Sequence, residues 1–474
     1  MNCCPLVSRR AVLSGLGAFP LLGAASGMAA ILSRIRAPRF PKRDFLITDF
    51  GATGDGTKDN TEALRRAVEA CHRAGGGRVV VARGTFLTAA VHLRSNVNLH
   101  LAEGAVLRFD RDPRRYLPAV FTRWEGVEVM NYSPFIYGYG LDNIAITGSG
   151  TLDGGAGCGH WWPWKGRTDC GWKKGDPSQQ QARNALFEMA EKDVPVEKRV
   201  FGEGGFLRPN FIQPYRCRNV LVEGVTIINS PMWEVHPVLS TNVIVRGVKV
   251  NSHGPNNDGC NPESCRDVLI EECVFDTGDD CIALKSGRNR DGRRLAVPCE
   301  NVVIRRSTMK DGHGGLTIGS EISGGCRNIF AEDCRMDSPN LDRVLRIKTN
   351  SYRGGTIQGV YCRDLEVGQV SGAAVEIDFH YEEGAGGPHL PTVRDIEVRH
   401  LRCRQSARAL NLRGFKDAPI RGVLLEDCVF DNASKKDTVE NVEGLRLVRV
   451  KINGKDAAGG KSGDLPHAGG SLVV

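Results

Sequence analysis

The chain has 474 residues, of which 41% are hydrophobic and 25% are charged, and this balance is typical of a soluble globular protein. The length exceeds that of an ordinary single domain, but elongated repeat folds reach it as one unit. The formal net charge is +8, and no DNA- or RNA-binding motif accompanies the basic residues. The composition therefore argues against a nucleic-acid-binding protein, whereas a basic surface suits an acidic partner.

The first 30 residues have the features of an export signal. Arg9 and Arg10 precede an apolar stretch, rich in glycine and alanine, that ends near Ala30 and is shorter than the roughly 20 residues that span a bilayer. Paired arginines before an apolar core are typical of a twin-arginine signal. We predict a signal peptide over residues 1–30, cleaved between residues 25 and 30, and a linker over residues 31–43. The protein is then periplasmic or secreted, with no membrane attachment after signal removal.

One helix is predicted shortly after the linker. Residues 59–62 read Asp-Asn-Thr-Glu, which has the form of a capping box, and three glycines at 75–77 end the run. The apolar positions at helical spacing are Leu64, Ala67, Val68 and Cys71. A stack of strands would expose apolar side chains and unpaired backbone at its end, so we expect this helix to cap such a stack.

From about residue 216 onward, apolar residues recur at positions 0, +2, +5 and +7 of a repeating unit. A spacing of two indicates a strand, and the step of three indicates a bend onto a second strand. The copies lie 22 to 36 residues apart, unlike leucine-rich repeats or propeller blades, and they predict the coils of an all-β parallel β-helix over residues 44–455. Residues 456–474 are predicted to form a flexible tail. The copies begin at Val220, Val243, Val268, Val302, Ile329, Val360, Ile396, Val423 and Leu445, with a weaker copy near Ile144.

Cysteines and tryptophans leave two alternatives open. Position +5 holds Cys273, Cys334 and Cys428, which predicts buried free thiols, with disulfides as the alternative. Residues 154–209, here called the insertion, interrupt the repeat and carry three tryptophans within residues 160–165. These aromatic rings either line a sugar-binding groove or pack the insertion onto the coils.

Acidic and basic residues recur in the segment that follows the two repeat strands. They occupy this segment in four consecutive coils, which stack about 4.8 Å apart, so we expect them to share one groove about 15 Å long. Two of the acids are adjacent and precede a run typical of a strand, so a bend must turn both outward unless one of them caps a turn. The residues are Asp258 in the first coil, Asp279 and Asp280 in the second, His313 in the third, and Arg346 and Lys348 in the fourth.

Four ordered motifs resemble those of glycoside hydrolase family 28, the polygalacturonases. The resemblance covers residues 44–430, and it departs from the family's pattern at Asn257, where threonine is usual. The opening segment, the insertion and residues 230–233 are similar to those of bacterial exo-acting members, in which extra loops close one end of the groove. The motifs are Asn256-Asn257-Asp258, Gly278-Asp279-Asp280, Gly312-His313-Gly314 and Arg346-Ile347-Lys348.

The resemblance implies a single-stranded, right-handed, pectin-lyase-like β-helix that hydrolyses α-1,4-galacturonosidic bonds with inversion and by exo action. Inversion requires an acid and a base-held water, with carboxyls roughly 6.5 to 9.5 Å apart. By resemblance, Asp279 is the general acid, while Asp258 and Asp280 hold and deprotonate the water. Like charges in one groove should keep a proton on one of the three. His313 either tunes the acid, contacts the sugar or forms part of the groove wall.

The same resemblance predicts the ligand. Asn256, Arg346 and Lys348 are expected to bind an acidic polysaccharide, galacturonan. Arg346 and Lys348 could also pair with the aspartates, and the two roles can coexist. The cysteines and histidines lack zinc-type spacing, and we expect no metal or other cofactor, no nucleic acid, and a monomer. The alternatives are a rhamnogalacturonan or xylogalacturonan hydrolase, a pectate lyase, and a non-catalytic carbohydrate-binding β-helix.

Overall fold

The polypeptide winds into stacked coils of short parallel strands. The computed structural model describes residues 19–457, without the side chains of residues 19–26, so Arg9, Arg10 and residues 458–474 of the predicted tail lie outside it. Across residues 19–457, the α-helices are α1 (Phe19–Arg34), α2 (Thr61–Arg73), α3 (Gln180–Glu191) and α4 (Asn289–Leu295). Short 3-10 helices cover Ile47–Phe50, Pro113–Tyr116, Trp162–Lys165, Thr168–Cys170 and Val196–Lys198. No helix of this part of the chain is long and apolar enough to cross a membrane.

The strands are short, and most of them pair with the next coil. Before the insertion they are β1 (Asp44–Leu46), β2 (Asp55–Asp59), β3 (Gly77–Val81), β4 (Gly84–Thr88), β5 (Val91–His92), β6 (Val97–Leu101), β7 (Ala105–Phe109), β8 (Val120–Trp124), β9 (Val127–Asn131), β10 (Ile136–Tyr139), β11 (Asp142–Gly148) and β12 (Thr151–Asp153). After it come β13 (Ile212–Tyr215), β14 (Arg218–Glu223), β15 (Thr226–Ile228), β16 (Thr241–Arg246), β17 (Lys249–Ser252), β18 (Arg266–Glu271), β19 (Val274–Thr277), β20 (Ile282–Leu284), β21 (Cys299–Arg305), β22 (Thr308–Met309) and β23 (Leu316–Gly319). The remaining strands are β24 (Cys326–Met336), β25 (Leu345–Lys348), β26 (Thr356–Gln369), β27 (Ala373–Asp378), β28 (Thr392–Gln405), β29 (Arg408–Arg413), β30 (Ile420–Glu426), β31 (Val429–Phe430), β32 (Thr438–Glu440), β33 (Val442–Glu443), β34 (Arg446–Val448), β35 (Lys451–Ile452) and β36 (Lys455–Asp456).

The predicted repeat is confirmed, because equivalent positions of successive coils pair directly. Val220 pairs with Val243, which pairs with Val268 and then with Val302, in parallel ladders. The second strand of each coil pairs in the same way, for example Val250 with Phe275. A third sheet, β20-β23-β25-β27-β29-β32, completes the later coils. The result is the predicted single-stranded, right-handed parallel β-helix.

Two left-handed corners in each coil explain why the apolar positions step by three. The residue before position 0 has a positive φ, for example 58° at Asn219 and 57° at Asn242. Asparagine, aspartate and glycine adopt this conformation most readily. The side-chain amide of Asn242 donates to Asn219 at 2.8 Å, Asn219 donates to Asn143 at 2.8 Å, and Asn143 donates to Asn96 at 3.1 Å. This asparagine ladder (Asn96, Asn143, Asn219 and Asn242) fixes the first corner. The second corner, at position +4, has a positive φ at Gly224, Gly247, Glu272, Arg306, Asp333, Asp364, His400, Asp427 and Arg449.

The interior of the coils is apolar and includes many thiols. Cys273, Cys334 and Cys428 are buried and free, so the predicted free thiols are confirmed at these positions. Burial raises the pKa of Cys334 to about 12, which keeps the thiol protonated and unreactive. A disulfide joins Cys158 and Cys170 instead, within the insertion.

Helix α2 covers the first coils as predicted, and half of the predicted capping box is present. Asp59 Oδ1 accepts from the backbone N–H of Thr61 at 3.0 Å. The other half is wrong, because the Glu62 side chain pairs with Arg65 at 2.6 Å instead of returning to the backbone of Asp59. The apolar face of the helix, including Leu64 and Val68, is buried against the coils.

Helix α1 packs on the outside of the coils. Ile31 and Ile35 are buried against an outward-facing apolar stripe, which consists of Ala145, Leu221, Ile244, Leu269, Val303 and Phe330. The Arg34 guanidinium pairs with Asp267 at 2.8 Å. The backbone of Arg36 exchanges two hydrogen bonds with the Asn242 side chain, at 3.0 and 2.7 Å. The first residues of the predicted linker are therefore packed against the coils.

We expect a thiol reagent such as dithionitrobenzoate to label none of the 12 free cysteines of residues 19–457 rapidly, because all are buried. Denaturation should expose all of them, and prior reduction should add two more thiols from Cys158 and Cys170. Protein that begins after Cys4 makes the count unambiguous. Fewer than 12 thiols in denatured, unreduced protein would contradict the free-thiol assignment.

Candidate active site

The three aspartates lie together where two coils turn into the third sheet. Asp258 and Asp280 occupy the same place in adjacent coils, since the N–H of Gly259 donates to the carbonyl of Asp280 at 3.0 Å. Asp279 and Asp280 lie in a bend that ends before β20, which confirms the predicted turn of the chain. Asp258 is 2% exposed and Asp280 is fully buried, whereas 18% of the Asp279 side chain is exposed. Asp279 is therefore the carboxyl that is most open to solvent.

Asp280 accepts hydrogen bonds from both of the predicted cations. Lys348 Nζ donates to it at 2.7 Å, Arg346 Nη1 at 3.2 Å, and the Thr317 hydroxyl at 3.0 Å. Arg346 and Lys348 alternate on β25 with inward-facing Ile347, so both reach the outer face. Burial opposes the charge of Asp280, but Lys348 and Arg346 hold the pKa of this carboxyl below its usual value. The ion-pair alternative for these two cations is therefore what the structure contains.

Asp258 has fewer close cations around it than Asp280. Asn261 Nδ2 donates to it at 2.6 Å, while Lys285 Nζ lies 3.6 Å away and pairs more closely with Glu321, at 3.0 Å. Burial, together with the charge of Asp279, raises the pKa of Asp258 to about 8. Asp258 is thus protonated in the free site at neutral pH.

Asp279 is paired with the predicted histidine. His313 Nδ1 lies 3.0 Å from Asp279 Oδ1. Burial opposes the charge of Asp279, but His313, followed by Lys348 and Arg346, lowers the pKa of this carboxyl below its usual value. Asp279 in turn raises the pKa of His313. The proton of the free cluster therefore lies on Asp258, whereas the family resemblance requires an acid at Asp279.

The two asparagines before Asp258 have different surroundings. Asn256, at φ 56°, accepts a hydrogen bond from Arg208 Nη2 at 2.7 Å. Asn257 is fully buried, where its Oδ1 accepts from the Ser252 hydroxyl at 2.7 Å and its Nδ2 donates to the carbonyl of Ser230 at 3.1 Å. The departure at Asn257 thus lies beneath the groove and holds the turn that carries Asp258.

The tryptophans of the insertion pack it onto the coils. Trp161 is 2% exposed, and its ring lies 4.9 Å from that of Trp164. Trp162 Nε1 donates to the carbonyl of Ser230 at 2.8 Å. Its ring lies so close to Gly254 that a Cβ there would be 2.2 Å away. The packing alternative is therefore the one found for these rings.

The groove is closed beyond Asp258, on the side of the earlier coils. There the outward-facing side chains of Gln213 and His236 are fully buried, and so is that of Glu263, which belongs to the coil of Asp258 itself. The hairpin β8–β9 covers them, and its Arg123 pairs with Glu263 at 2.9 Å with neither side chain exposed. Beyond Arg346, in the later coils, the same outward column continues to Asn411, which is partly exposed. The aspartates therefore lie beside a closed end, which the hairpin β8–β9 covers.

Sequence reasoning missed several residues that contact this cluster. The Tyr381 ring lies over both cations, 5.2 Å from Lys348 Nζ and 5.6 Å from the Arg346 guanidinium. Lys285 and Glu321 join the cluster from just after β20 and just after β23. Tyr381 lies in a loop without any repeat signal, whereas Lys285 could have been found because it follows the double aspartate on an outward-facing position.

One group outside the cluster has the spacing of metal ligands. His253, Asp276 and Asp311 bring ligand atoms within 4.8 Å of one another. His253 already pairs with Asp276 at 3.1 Å, and Lys310 Nζ lies 3.7 Å from the same carboxylate. An ammonium at this distance opposes a bound cation, so the group suits an ion-pair network better than a metal.

The raised pKa of Asp258 predicts a pH-dependent stability. Between about pH 4 and pH 8 the folded protein keeps a proton on Asp258 that the unfolded chain loses, so the contribution of this group falls as pH rises, by up to about 1.4 kcal/mol per pH unit. Asp258→Asn has no titrating carboxyl at this position. We therefore expect the free energy of unfolding of the variant, relative to that of the wild type, to increase from pH 5 to pH 8. Urea unfolding at several pH values measures the difference, with Asp333→Asn, on an exposed corner, as the control. A difference that does not change with pH would contradict the proton on Asp258.

Comparisons with known proteins agree with this arrangement. The profile of the family described as "Glycosyl hydrolases family 28" matches residues 201–452. A probable polygalacturonase from Vitis vinifera is 29% identical over 422 residues, which cover 84% of this chain and 77% of the relative. An exo-poly-alpha-D-galacturonosidase from Dickeya chrysanthemi is 25% identical, over 72% of this chain and 58% of the relative.

A solved structure extends the likeness to the fold and to nearly the whole chain. The crystal structure of a hyperthermoactive exopolygalacturonase from Thermotoga maritima is 47% identical to this chain, with a TM-score of 0.89. The match covers 91% of this chain and 96% of that structure. Because the family profile matches more than half of the residues and this relative matches nearly all of them, the chain belongs to family 28 of the glycosyl hydrolases and is a glycosidase.

Proposed function

We propose that the protein is an exo-acting polygalacturonase that hydrolyses α-1,4-galacturonosidic bonds of polygalacturonate with inversion. The observation that carries exo action is the closed end of the groove, where the hairpin β8–β9 buries Gln213, His236 and Glu263. A polysaccharide cannot continue through this end, so only a chain terminus reaches the aspartates. The exopolygalacturonase from Thermotoga maritima, at 47% identity, supports the same activity.

In the proposed mechanism, Asp279 protonates the glycosidic oxygen as the bond to the anomeric carbon breaks. A water held by Asp258 and Asp280 attacks that carbon from the opposite face and loses a proton to one of them. Asp279 suits the acid role because it is the most solvent-exposed of the three carboxyls. The role of each aspartate follows the family resemblance, and the burial pattern supports it.

The proton must reach Asp279 before this step, and substrate binding offers a way. Lys348 and Arg346 help to keep Asp279 ionised in the free site. A galacturonate carboxylate bound by these cations would offset part of their charge, so the pKa of Asp279 would rise. The proton would then move from Asp258 to Asp279, which leaves Asp258 free to act as a base. His313, at 3.0 Å from Asp279, would tune this transfer.

The charge of the site supports a uronate as the substrate unit. Arg346 and Lys348 share Asp280, and Arg346 Nε also lies 3.7 Å from Glu376. Within residues 27–457, Lys348 has Asp280 as its one ion-pair partner, so its ammonium retains the capacity to bind a second anion. We assign substrate binding to these two cations and to Asn256, whose position Arg208 fixes. Rhamnogalacturonan and xylogalacturonan hydrolysis are less favoured by the likeness to the exopolygalacturonase. A pectate lyase would instead eliminate and form an unsaturated, ultraviolet-absorbing product.

We also infer that the protein is exported through the signal over residues 1–30, because Arg9 and Arg10 precede the apolar stretch as in twin-arginine signals. N-terminal sequencing of protein recovered from the periplasm or the medium tests this, and an unprocessed Met1 there would contradict it.

A time course on polygalacturonate tests exo action. We expect galacturonate or its dimer to accumulate alone from the first time points, because the closed end admits only a terminus. Size separation of the products measures this, and proton NMR of the first product should show the inverted anomer. A ladder of intermediate oligomers would mean endo action, and no product at all would refute the polygalacturonase assignment.

Asp279→Asn tests the acid. The amide cannot donate the proton, so we expect kcat on polygalacturonate to fall by about 10²- to 10⁴-fold with KM little changed. An aryl galacturonide, whose leaving group needs no proton, should lose much less. Asp333→Asn, on an exposed corner, serves as the control. Equal losses on both substrates would show that Asp279 is not the general acid.

A further inference from the structure

Lys165 ends the 3-10 helix Trp162–Lys165 of the insertion and has a fixed backbone. Trp162 Nε1 donates to the carbonyl of Ser230 at 2.8 Å, and the N–H of Gln179 donates to the carbonyl of Trp164 at 2.7 Å. The side chain of Lys165 is partly buried. The start of the Lys165 side chain is therefore fixed by packing and hydrogen bonds that do not involve its charge.

The charges that face Lys165 come from three segments. Burial lowers the pKa of Lys165, Glu125 opposes this, Arg208 and Arg183 lower the pKa further, and Asp279 raises it. Trp162, at the other end of the same 3-10 helix, packs its ring against Gly254, four residues before Asp258. Glu125 belongs to the turn of the hairpin that closes the groove, and the neighbouring Gly126 accepts a hydrogen bond from the N–H of Arg288 at 3.0 Å. The 3-10 helix that Lys165 ends therefore lies against the turn that carries Asp258.

The carboxylate near Lys165, that of Glu125, is paired with another cation. Glu125 accepts from Arg183 Nε at 2.7 Å. Arg208 is fully buried, and its guanidinium donates to neutral acceptors, including the Gln179 side chain at 3.0 Å and the Asn256 side chain at 2.7 Å. Within residues 27–457, the Lys165 side chain has no hydrogen bond or ion pair of its own. Arg183, Arg208 and Arg288 add further positive charge around Glu125.

An unpaired, partly buried ammonium is costly unless an anion binds to it. The proposed substrate supplies such anions, one carboxylate on each sugar. Arg346 and Lys348 lie beyond the aspartates, in later coils, and pair with Asp280. An anion at the closed end would therefore contact the cations of the insertion and not Arg346 or Lys348.

We propose that Lys165 binds the carboxylate of the terminal galacturonate unit, on the closed side of the aspartates. This assignment rests on the proposed function and deepens it, because it makes the end pocket selective for a uronate over a neutral or methyl-esterified sugar. Arg208 is a positioning residue in this scheme, since it is fully buried and connects the insertion to the turn that carries Asp258.

Titration calorimetry with galacturonate and with galactose, its neutral counterpart, tests the assignment on the full-length processed protein. For Lys165→Met we expect galacturonate to bind about 10- to 100-fold more weakly, the range for one charge-assisted hydrogen bond, with galactose binding unchanged. Lys165→Arg should restore part of the affinity. Lys174→Met, an exposed lysine of the same insertion, is the matched control and should bind both sugars like the wild type.

Several outcomes would overturn the assignment. Equal affinity of Lys165→Met and Lys174→Met for galacturonate would show that Lys165 only balances Glu125. Equal losses for both sugars, or a lowered unfolding temperature that Lys165→Arg does not rescue, would show a structural role. The wild type could bind galacturonate no more tightly than galactose and still release galacturonate from polygalacturonate. That result would refute the carboxylate site but not the proposed activity. If the wild type neither binds nor releases galacturonate, the proposed function fails together with this assignment.

Discussion

Axial pairing of one coil with the next is the interaction on which the rest of the molecule depends. Equivalent residues lie directly above one another along the stack, as Val220, Val243, Val268 and Val302 do. Apolar equivalents form a continuous core, and asparagine equivalents form a hydrogen-bonded ladder at the first corner. The same stacking decides the site, because it places Asp258 and Asp280 one coil apart, about 4.8 Å along the axis.

Stacking places carboxylates of successive coils close together, where they would repel one another. In this site, neighbouring cations and a proton offset that repulsion. Buried Asp280 is matched by two cations from a later coil, whereas Asp258 has only a distant ammonium and keeps a proton. Asp279 stays ionised beside His313. Before any ligand binds, the cluster therefore holds charges of both signs and a protonated carboxyl at Asp258. That is an electrostatic state suited to general acid and base chemistry.

The features that could be predicted from the sequence are those that repeat in every coil and those that belong to an ordered motif. The apolar positions, the capping helix and the six charged residues of the groove could all be located, because each has a fixed place in a coil or in an ordered motif. The corner residues also carry a signal in the sequence, since asparagine, aspartate or glycine precedes most copies of the repeat. The hairpin β8–β9, the packing of α1 and the loop of Tyr381 could not be predicted, because they have no period and their partners are distant in sequence. The ionisation of Asp258 and Asp279 depends on burial and neighbours in three dimensions, which no linear motif encodes.

The two left-handed corners confine variation in length to one part of the coil. Positions 0 to +7 have the same spacing in each copy, yet the copies begin 23 residues apart between Val220 and Val243 and 36 apart between Val360 and Ile396. All of the difference must fall between the second repeat strand and the next first strand, which is the part that includes the groove. Loops can therefore lengthen, close an end or change a subsite without a shift of register in the two repeat strands. The architecture separates the residues that must stay constant for folding from those that are free to diversify for specificity.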